Sequence, residues 1–282
     1  MTDLGYSFAS FLIRRLPPRA TDSLADLASQ GYVLTHPGRA RAVDRSLARI
    51  WSDSRHEGAP PRARETYRVF ARALRDFLAH EPAHPVRISD RSRAALEAAR
   101  RSGRGTVLVS GHFGPWERAL QWLAEELGGV EALAARHKLA AVDRFFIALR
   151  ARGGVRTLCS SRPVPSAIRS LKAGGWIAAL ADRPRRVDRS PTARAIVPLD
   201  PGPLLLARRA EAQVIAGTSA FADDGALEIE FLSPFSLAPG REGVEVGQGL
   251  ARLQRFFDAH VREYPTQWFS WGGEHAPAPS AS

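Results

Sequence analysis

The chain has 282 residues, enough to bury a substantial core, and its 44% hydrophobic and 24% charged residues are ordinary for a folded protein. Its net charge of +11 predicts attraction to something acidic: nucleic acid, an anionic membrane surface or an acidic carrier protein. Cys159 is the single cysteine, which excludes an internal disulfide and a cysteine-based zinc cluster.

Residues 1 to about 100 are predicted to be helical, because apolar stripes at 43–51 and 67–78 repeat at helical spacing. Ser89 is the predicted N-cap of a further helix that ends at Arg101. Arginines flank the second stripe, and they form either a solvated face or a basic surface for anionic lipid or an acidic protein. These arginines are Arg62, Arg64, Arg68, Arg72 and Arg75.

The N-terminus carries a short apolar patch at 6–13, followed by arginines. The patch is too short to span a bilayer, and its charges lie on the wrong side for a secretory signal. The sequence therefore predicts no transmembrane helix and a cytoplasmic protein that rests on a membrane.

From about residue 104 short apolar strands alternate with helices, and Asp223-Asp-Gly225 is typical of a hairpin turn. The predicted fold is α/β: a mixed, mostly parallel sheet flanked by helices, with a helical N-terminal region. We divide the chain into that region (1–100), packed on the core, an α/β core (101–275) and a loose C-terminal tail (276–282). The segment 264–271 is predicted to pack back on the core.

The chain is organised around the stretch 107–117. A β-branched run, Val107–Ser110, predicts a buried strand, and Pro115 favours a helix start directly after it. His112 then lies at the carboxyl end of a strand, where open α/β sheets bind their ligands. Glu117 falls in the first turn of the following helix, where a carboxylate is favoured.

A histidine and a carboxylate are sufficient for one kind of group transfer. A neutral imidazole can take the proton of a hydroxyl as its oxygen attacks a thioester, while a carboxylate holds the ring in the needed tautomer. By spacing alone, His112 is equally well a satisfied core histidine and Glu117 a helix-start carboxylate. The sequence has no Gly-x-Ser-x-Gly elbow, Walker loop or Rossmann fingerprint that would indicate other chemistry.

The residues Gly111-His-Phe-Gly-Pro-Trp-Glu117 resemble the His-x-x-x-x-Glu signature of the late acyltransferases of lipid A biosynthesis. That family typically has Gly-His-Phe-Gly-Asn-Trp-Glu, so Pro115 is the one difference within this block. Arg136 and Asp182 resemble an arginine and an aspartate of the family that follow later strands. The closing segment Tyr264-Pro-Thr-Gln-Trp-Phe-Ser-Trp271 is also similar.

The resemblance implies an O-acyltransferase that uses His112 as general base, Glu117 as its partner, and Arg136 and Asp182 as substrate-binding residues. It implies an acyl donor on acyl carrier protein or coenzyme A, a hydroxyl acceptor, and neither metal nor cofactor. It places the protein peripherally on the cytoplasmic face of the bacterial inner membrane. The alternative interpretations are a surface arginine for Arg136 and a strand-end turn residue for Asp182.

The loop after Asp182 departs from the family pattern at Arg183-Pro-Arg-Arg186. The acceptor is therefore either lipid A or another hydroxylated lipid or specialised metabolite. Two rival functions remain. One is a non-catalytic lipid-binding protein that keeps the fold, against which the four site residues argue. The other is a nucleic-acid binder, against which the lack of a recognition motif and of aromatics between basic residues argues.

Overall fold

A computed structural model describes residues 13, 15–54, 57–79, 85–135, 137, 139–158, 163–183, 195–237 and 242–269. Its helices are α1 (Pro18–Thr35), α2 (Pro37–Ser52), α3 (Ala63–Ala79), α4 (Asp90–Arg101), α5 (Trp116–Leu127), α6 (Ala140–Arg152), α7 (Pro163–Lys172), α8 (Gly202–Ala210) and α9 (Glu242–Glu263). Its strands are β1 (Val86–Ile88), β2 (Thr106–Ser110), β3 (Val130–Leu133), β4 (Val155–Leu158), β5 (Trp176–Leu180), β6 (Gln213–Phe221) and β7 (Leu227–Ser236). A 3₁₀ turn follows at Pro265–Gln267. The tail predicted at 276–282 and residues 6–12 of the N-terminal patch lie outside the described residues.

The strands form one sheet in the order β1-β7-β6-β2-β5-β3-β4. Every neighbouring pair is parallel except β6 and β7, which form the antiparallel hairpin predicted at Asp223-Asp-Gly225. The α/β prediction of a mixed, mostly parallel sheet flanked by helices is therefore confirmed. Since β2 lies between β5 and β6, the loop that follows β2 emerges at the centre of the sheet.

Strand β2 shows why the sheet is covered on both faces. Val107 and Val109 pack into a core with residues of α7, α8 and α9, whereas Leu108 points to the opposite face and packs with residues of α4 and α5. A strand that is buried on both faces needs a continuous apolar run, and this is the pattern that the sequence carries at 107–109.

The prediction that the whole of 1–100 is helical is wrong at β1, which joins the sheet edge in parallel with β7. Three residues give no period to detect, and β1 forms because the edge of β7 offers unpaired backbone groups. The helix after it begins as predicted, since Ser89 caps α4 by accepting a hydrogen bond from the backbone N–H of Ser92.

Helices α1 to α3 share a small apolar core that includes Val43, Leu47 and Tyr67. Helix α3 also carries Phe77 into contact with Phe146 of α6, at 5.9 Å between ring centroids. The N-terminal helices therefore pack on the sheet domain through apolar side chains. No helix of the described residues is long and apolar enough to cross a membrane.

The arginines along α3 do not form one face. Arg62, Arg64 and Arg68 are exposed, but Arg75 is buried and pairs with Asp76, at 2.8 Å from Nε to Oδ1, and with Asp22. Arg75 is thus neither a solvated side chain nor part of a surface for lipid, because the packing of α1 on α3 encloses it.

Candidate active site

The turn after β2 depends on two glycines. A Cβ on Gly111 would lie 2.5 Å from the ring of Phe113, and one on Gly114 would lie 2.4 Å from the carbonyl oxygen of Ser219. Gly114 also has a φ of 48°, which side chains disfavour. Pro115 precedes the first residue of α5 as its N-cap, one position earlier than the sequence suggested. This tight turn holds His112 at the carboxyl edge of the sheet.

The carboxylate in contact with His112 is Asp182. Its Oδ1 lies 2.8 Å from Nδ1 of the imidazole, and its Oδ2 accepts the backbone N–H of His112 at 3.0 Å. Asp182 follows β5, which pairs with β2 in the register Ser110 with Leu180, so both residues leave the sheet side by side. The indole N–H of Trp268 donates to Oδ2 at 3.0 Å.

Asp182 is fully buried. Burial alone would raise the pKa of its carboxyl, but the charge of a protonated His112 and the hydrogen bonds from His112 and Trp268 together hold it below the ordinary value. An ionised Asp182 accepts from Nδ1–H, which leaves the lone pair on Nε2 of the imidazole. His112 keeps 18% of its side chain exposed, and a neutral imidazole with its lone pair on Nε2 can accept a proton at that nitrogen.

Glu117 was predicted to orient His112, but the structure gives its carboxylate a different partner. Its carboxylate forms a bidentate ion pair with the guanidinium of Arg150 on α6, with Nε at 2.9 Å from Oε2. The first turn of α5 faces α6, so the side chain of Glu117 meets Arg150 rather than the imidazole. Both partners are nearly buried, at 12% and 13% side-chain exposure.

Arg136 lies outside the described residues, so its place in the site stays a prediction. Its neighbour His137 stacks on Phe146 at 4.8 Å between ring centroids.

The C-terminal segment closes the turn, as the sequence predicted for the part described. The backbone N–H of Phe269 donates to the carbonyl of His112 at 2.9 Å, and that of Gly114 donates to the carbonyl of Gln267. The side-chain amide of Gln267 in turn pairs with both backbone groups of Phe221 on β6. Trp268 is thereby fixed where its indole reaches Asp182.

An apolar cavity opens beside this pair, between α5 and the sheet. Apolar side chains of both elements line most of it, among them Leu108, Leu120, Leu123, Ala178 and Phe231. Glu117 and Arg150 also line it, together with Trp116, whose ring centroid is 5.2 Å from that of His112. A nonpolar chain in this cavity would therefore lie close to the imidazole.

The model of the family described as "Bacterial lipid A biosynthesis acyltransferase" matches residues 3–271. The chain belongs to this family. Membership makes acyl transfer its reaction class. A search of curated proteins gave no match. Among solved structures, the chain is similar to the 1-acyl-sn-glycerophosphate acyltransferase PlsC from Thermotoga maritima, with 13% identity and a TM-score of 0.43, over 86% of this chain and 97% of that one.

Two residues of this acyltransferase site escaped sequence reasoning. Trp268 lies in the closing Pro-x-Gln-Trp segment, whose family resemblance was the available signal, but nothing local shows that it reaches Asp182. Arg150 lies on α6 among other arginines, and nothing in the sequence distinguishes it from them. In the described part of the acyltransferase, no cluster of three or more His, Cys, Asp or Glu side chains is arranged to hold a metal ion.

Proposed function

We propose that the chain transfers a fatty acyl group from the thioester of an acyl carrier protein or coenzyme A to a hydroxyl of a lipid A-like or related lipid acceptor. The observation that carries this proposal is the His112–Asp182 pair, set at the sheet edge beside an apolar cavity. Family membership supports the reaction class, and the geometry supports His112 as the base and the apolar cavity as the site of a hydrocarbon chain.

In the proposed reaction Nε2 of His112 removes the proton of the acceptor hydroxyl as its oxygen attacks the thioester carbonyl. Asp182 holds the ring through Nδ1–H and stabilises the imidazolium that forms. The tetrahedral intermediate then collapses, the ester bond remains, and the leaving thiolate takes the proton from Nε2. The base is thereby regenerated, and no enzyme-bound acyl intermediate is needed.

Glu117 and Arg150 have a different role in this scheme. Their ion pair joins α5 to α6 on the wall of the apolar cavity, which Trp116 also lines. We assign it to positioning: it fixes the first turn of α5 and so the entrance through which an acyl chain reaches the cavity. Glu117 acts through Arg150, not through the imidazole.

A membrane surface is the proposed workplace, because the acceptor is a lipid. Helix α1 supports this with three exposed leucines, Leu24, Leu27 and Leu34, which are 48%, 66% and 80% exposed. At helical spacing they fall on one face of α1. The net charge of +11 would add attraction to anionic lipid and to an acidic carrier protein.

The proposal is tested by incubating the purified full chain with acyl-loaded carrier protein or acyl-coenzyme A and a lipid A precursor that carries a free hydroxyl, with products identified by mass spectrometry. We expect the acceptor mass to rise by one acyl group with wild type and not with His112→Ala. Lipids of a deletion strain identify the acceptor if the precursor is not used. A deletion strain with unchanged lipids, together with vesicle binding that His112→Ala leaves intact, would favour the non-catalytic lipid-binding protein.

A further inference from the structure

A second cavity lies between the C-terminal half of α9 and strands β1, β6 and β7, and it shares the wall residue Thr218 with the apolar cavity. Its volume is about 450 Å³, in the range of small-molecule sites. Its lining is a nearly even mixture of polar and apolar surface, whereas that of the first cavity is mostly apolar. Three carboxylates belong to it: Glu228 and Glu230 of β7 and Glu263 of α9. Neither the family nor the proposed reaction assigns it a ligand.

Two buried polar atoms on the wall of this cavity lack a hydrogen-bond partner among the described residues. They are Nε2 of His260 and the hydroxyl of Thr218, in side chains 8% and 3% exposed. A buried polar group without a partner costs stability, so such atoms point to a bound group that the protein chain does not supply.

The protonation state of His260 shows what that group must offer. Burial lowers the pKa of His260 to about 3, although a hydrogen bond to the backbone of Ser219 opposes the shift. The ring is therefore neutral, and its one N–H donates a hydrogen bond to that backbone carbonyl. Nε2 is left with a lone pair, so its missing partner is a hydrogen-bond donor.

The carboxylates that line the cavity favour a donor with a positive charge. The Tyr264 hydroxyl donates to Oε2 of Glu228 at 2.7 Å, and burial together with Glu228 and Glu263 raises the pKa of Tyr264, which places both carboxylates around one phenol. Arg87 also lines the cavity, but its guanidinium forms a bidentate pair with Asp224. In a protein of net charge +11 the cavity thus concentrates negative charge.

We propose that this cavity binds a small organic ammonium compound, a primary amine whose N–H groups reach Nε2 of His260 and the carboxylates of Glu228 and Glu263. Its aliphatic part would lie against Phe256 and Ala259 of α9, which also line the space. An anion is repelled by the carboxylates, and a neutral polyol leaves their charge unpaired.

The site adjoins the catalytic turn, and Thr218 lines both cavities. The ring of Phe113, the residue after His112, contacts the His260 ring at 5.2 Å between centroids, and Ser219 donates its hydroxyl to the carbonyl of Phe113 at 2.8 Å. The inference does not rest on the proposed function, since the amine would bind whether or not His112 transfers an acyl group.

The test is isothermal titration calorimetry of the full chain with 1,4-diaminobutane, and with 1,4-butanediol as the neutral probe of the same length. We expect saturable binding of the diamine and at least tenfold weaker binding of the diol, because hydrogen bonds to charged groups are the stronger ones. Glu228→Gln and Thr218→Val should each weaken diamine binding, Glu228→Gln by about tenfold or more. Glu97→Gln, which removes a carboxylate from α4 instead, is the matched control and should bind like wild type.

Should Glu228→Gln fail to fold, Glu263→Gln replaces it, since Glu263 is exposed at the end of α9. The proposal is overturned by the absence of saturable diamine binding, which would leave the cavity to water alone. Equal binding of diol and diamine, or unchanged binding in both glutamate variants, overturns it as well.

Discussion

Asp182 follows His112 by 70 positions, yet its Oδ1 lies 2.8 Å from Nδ1 of the imidazole. The same carboxylate accepts the backbone N–H of His112 and the indole N–H of Trp268 on its other oxygen. One buried group thus fixes the position of the histidine, the orientation of its ring and its tautomer. The first prediction follows from this division between the two oxygens.

Asp182→Asn should abolish most of the acyl transfer while the protein stays folded. The amide oxygen would take the place of Oδ2, where two N–H donors converge, so the amide NH₂ would face Nδ1. Nδ1 would then accept, the ring proton would move to Nε2, and the base would be lost. We expect a rate loss of about 10²–10⁴-fold, similar to that of His112→Ala, in steady-state transfer assays.

Circular dichroism and thermal melting of Asp182→Asn serve as the control for folding, and His36→Ala on the exposed junction of α1 and α2 serves as a histidine control that should transfer normally. A folded Asp182→Asn protein with the wild-type rate would show that the carboxylate only supports the turn.

The fold around this pair was predictable from local signals, but the pair itself was not. Val107–Ser110 and Pro115 predict the strand, the turn and the helix, because each signal acts on neighbouring residues. The contact with Asp182 instead requires β5 to lie beside β2, and strand order leaves no local mark in the sequence. The spacing of Glu117 from His112 suggested a contact, but the direction of a helix-start side chain depends on which helix packs there. Here the partner of Glu117 is Arg150 of α6.

The second prediction separates Glu117 from the proton transfer. Glu117→Gln removes the bidentate carboxylate from the nearly buried guanidinium of Arg150 and should destabilise the protein by about 3 kcal/mol in chemical unfolding. Adding Arg150→Met should recover much of this loss, since the buried guanidinium that lost its carboxylate is then removed as well. The surviving activity should keep the wild-type pH dependence of kcat, because the His112–Asp182 pair is untouched.

The exposed pair of Glu97 and Arg101 on α4 provides the matched comparison, and Glu97→Gln should change stability by only about 0.5 kcal/mol. A shifted pH profile of kcat in Glu117→Gln would return Glu117 to the proton-transfer machinery, against the geometry of its ion pair.

The third prediction concerns membrane attachment. The protein should pellet with anionic vesicles at low salt and be released by high salt without detergent, because charge attraction of about 1 kcal/mol per basic residue is screened. Replacing Leu27 and Leu34 of α1 with serine should weaken pelleting about tenfold or more, since each loses an apolar contact with the bilayer. Leu139→Ser removes an exposed leucine at the N-cap of α6 instead, and this variant should pellet normally. Retention through salt and carbonate washes would contradict peripheral attachment.

The last prediction is a pH dependence of stability that comes from His260. Its pKa is about 3 in the folded protein, against an ordinary 6.5. Below about pH 6.5 the unfolded chain therefore binds a proton that the folded protein does not. The neutral ring of His260 therefore makes its full contribution to the free energy of unfolding above that pH. This contribution decreases by about 1.4 kcal/mol per pH unit as the pH falls toward about 3. Acidification from about pH 7.5 to about pH 5 should lower the free energy of unfolding by about 2 kcal/mol through this residue.

Urea unfolding of wild type and His260→Gln at these two pH values measures the effect. Glutamine can still donate to the Ser219 carbonyl but does not titrate. On acidification the free energy of unfolding of the variant should therefore fall by about 2 kcal/mol less than that of wild type. Comparing the two proteins cancels the carboxylates that line the same cavity, because both proteins keep Glu228, Glu230 and Glu263. His36→Gln changes an exposed histidine and should leave the wild-type pH dependence intact. Equal acid sensitivity of wild type and His260→Gln would mean that the His260 ring takes up its proton in the folded protein, and that its Nε2 reaches solvent.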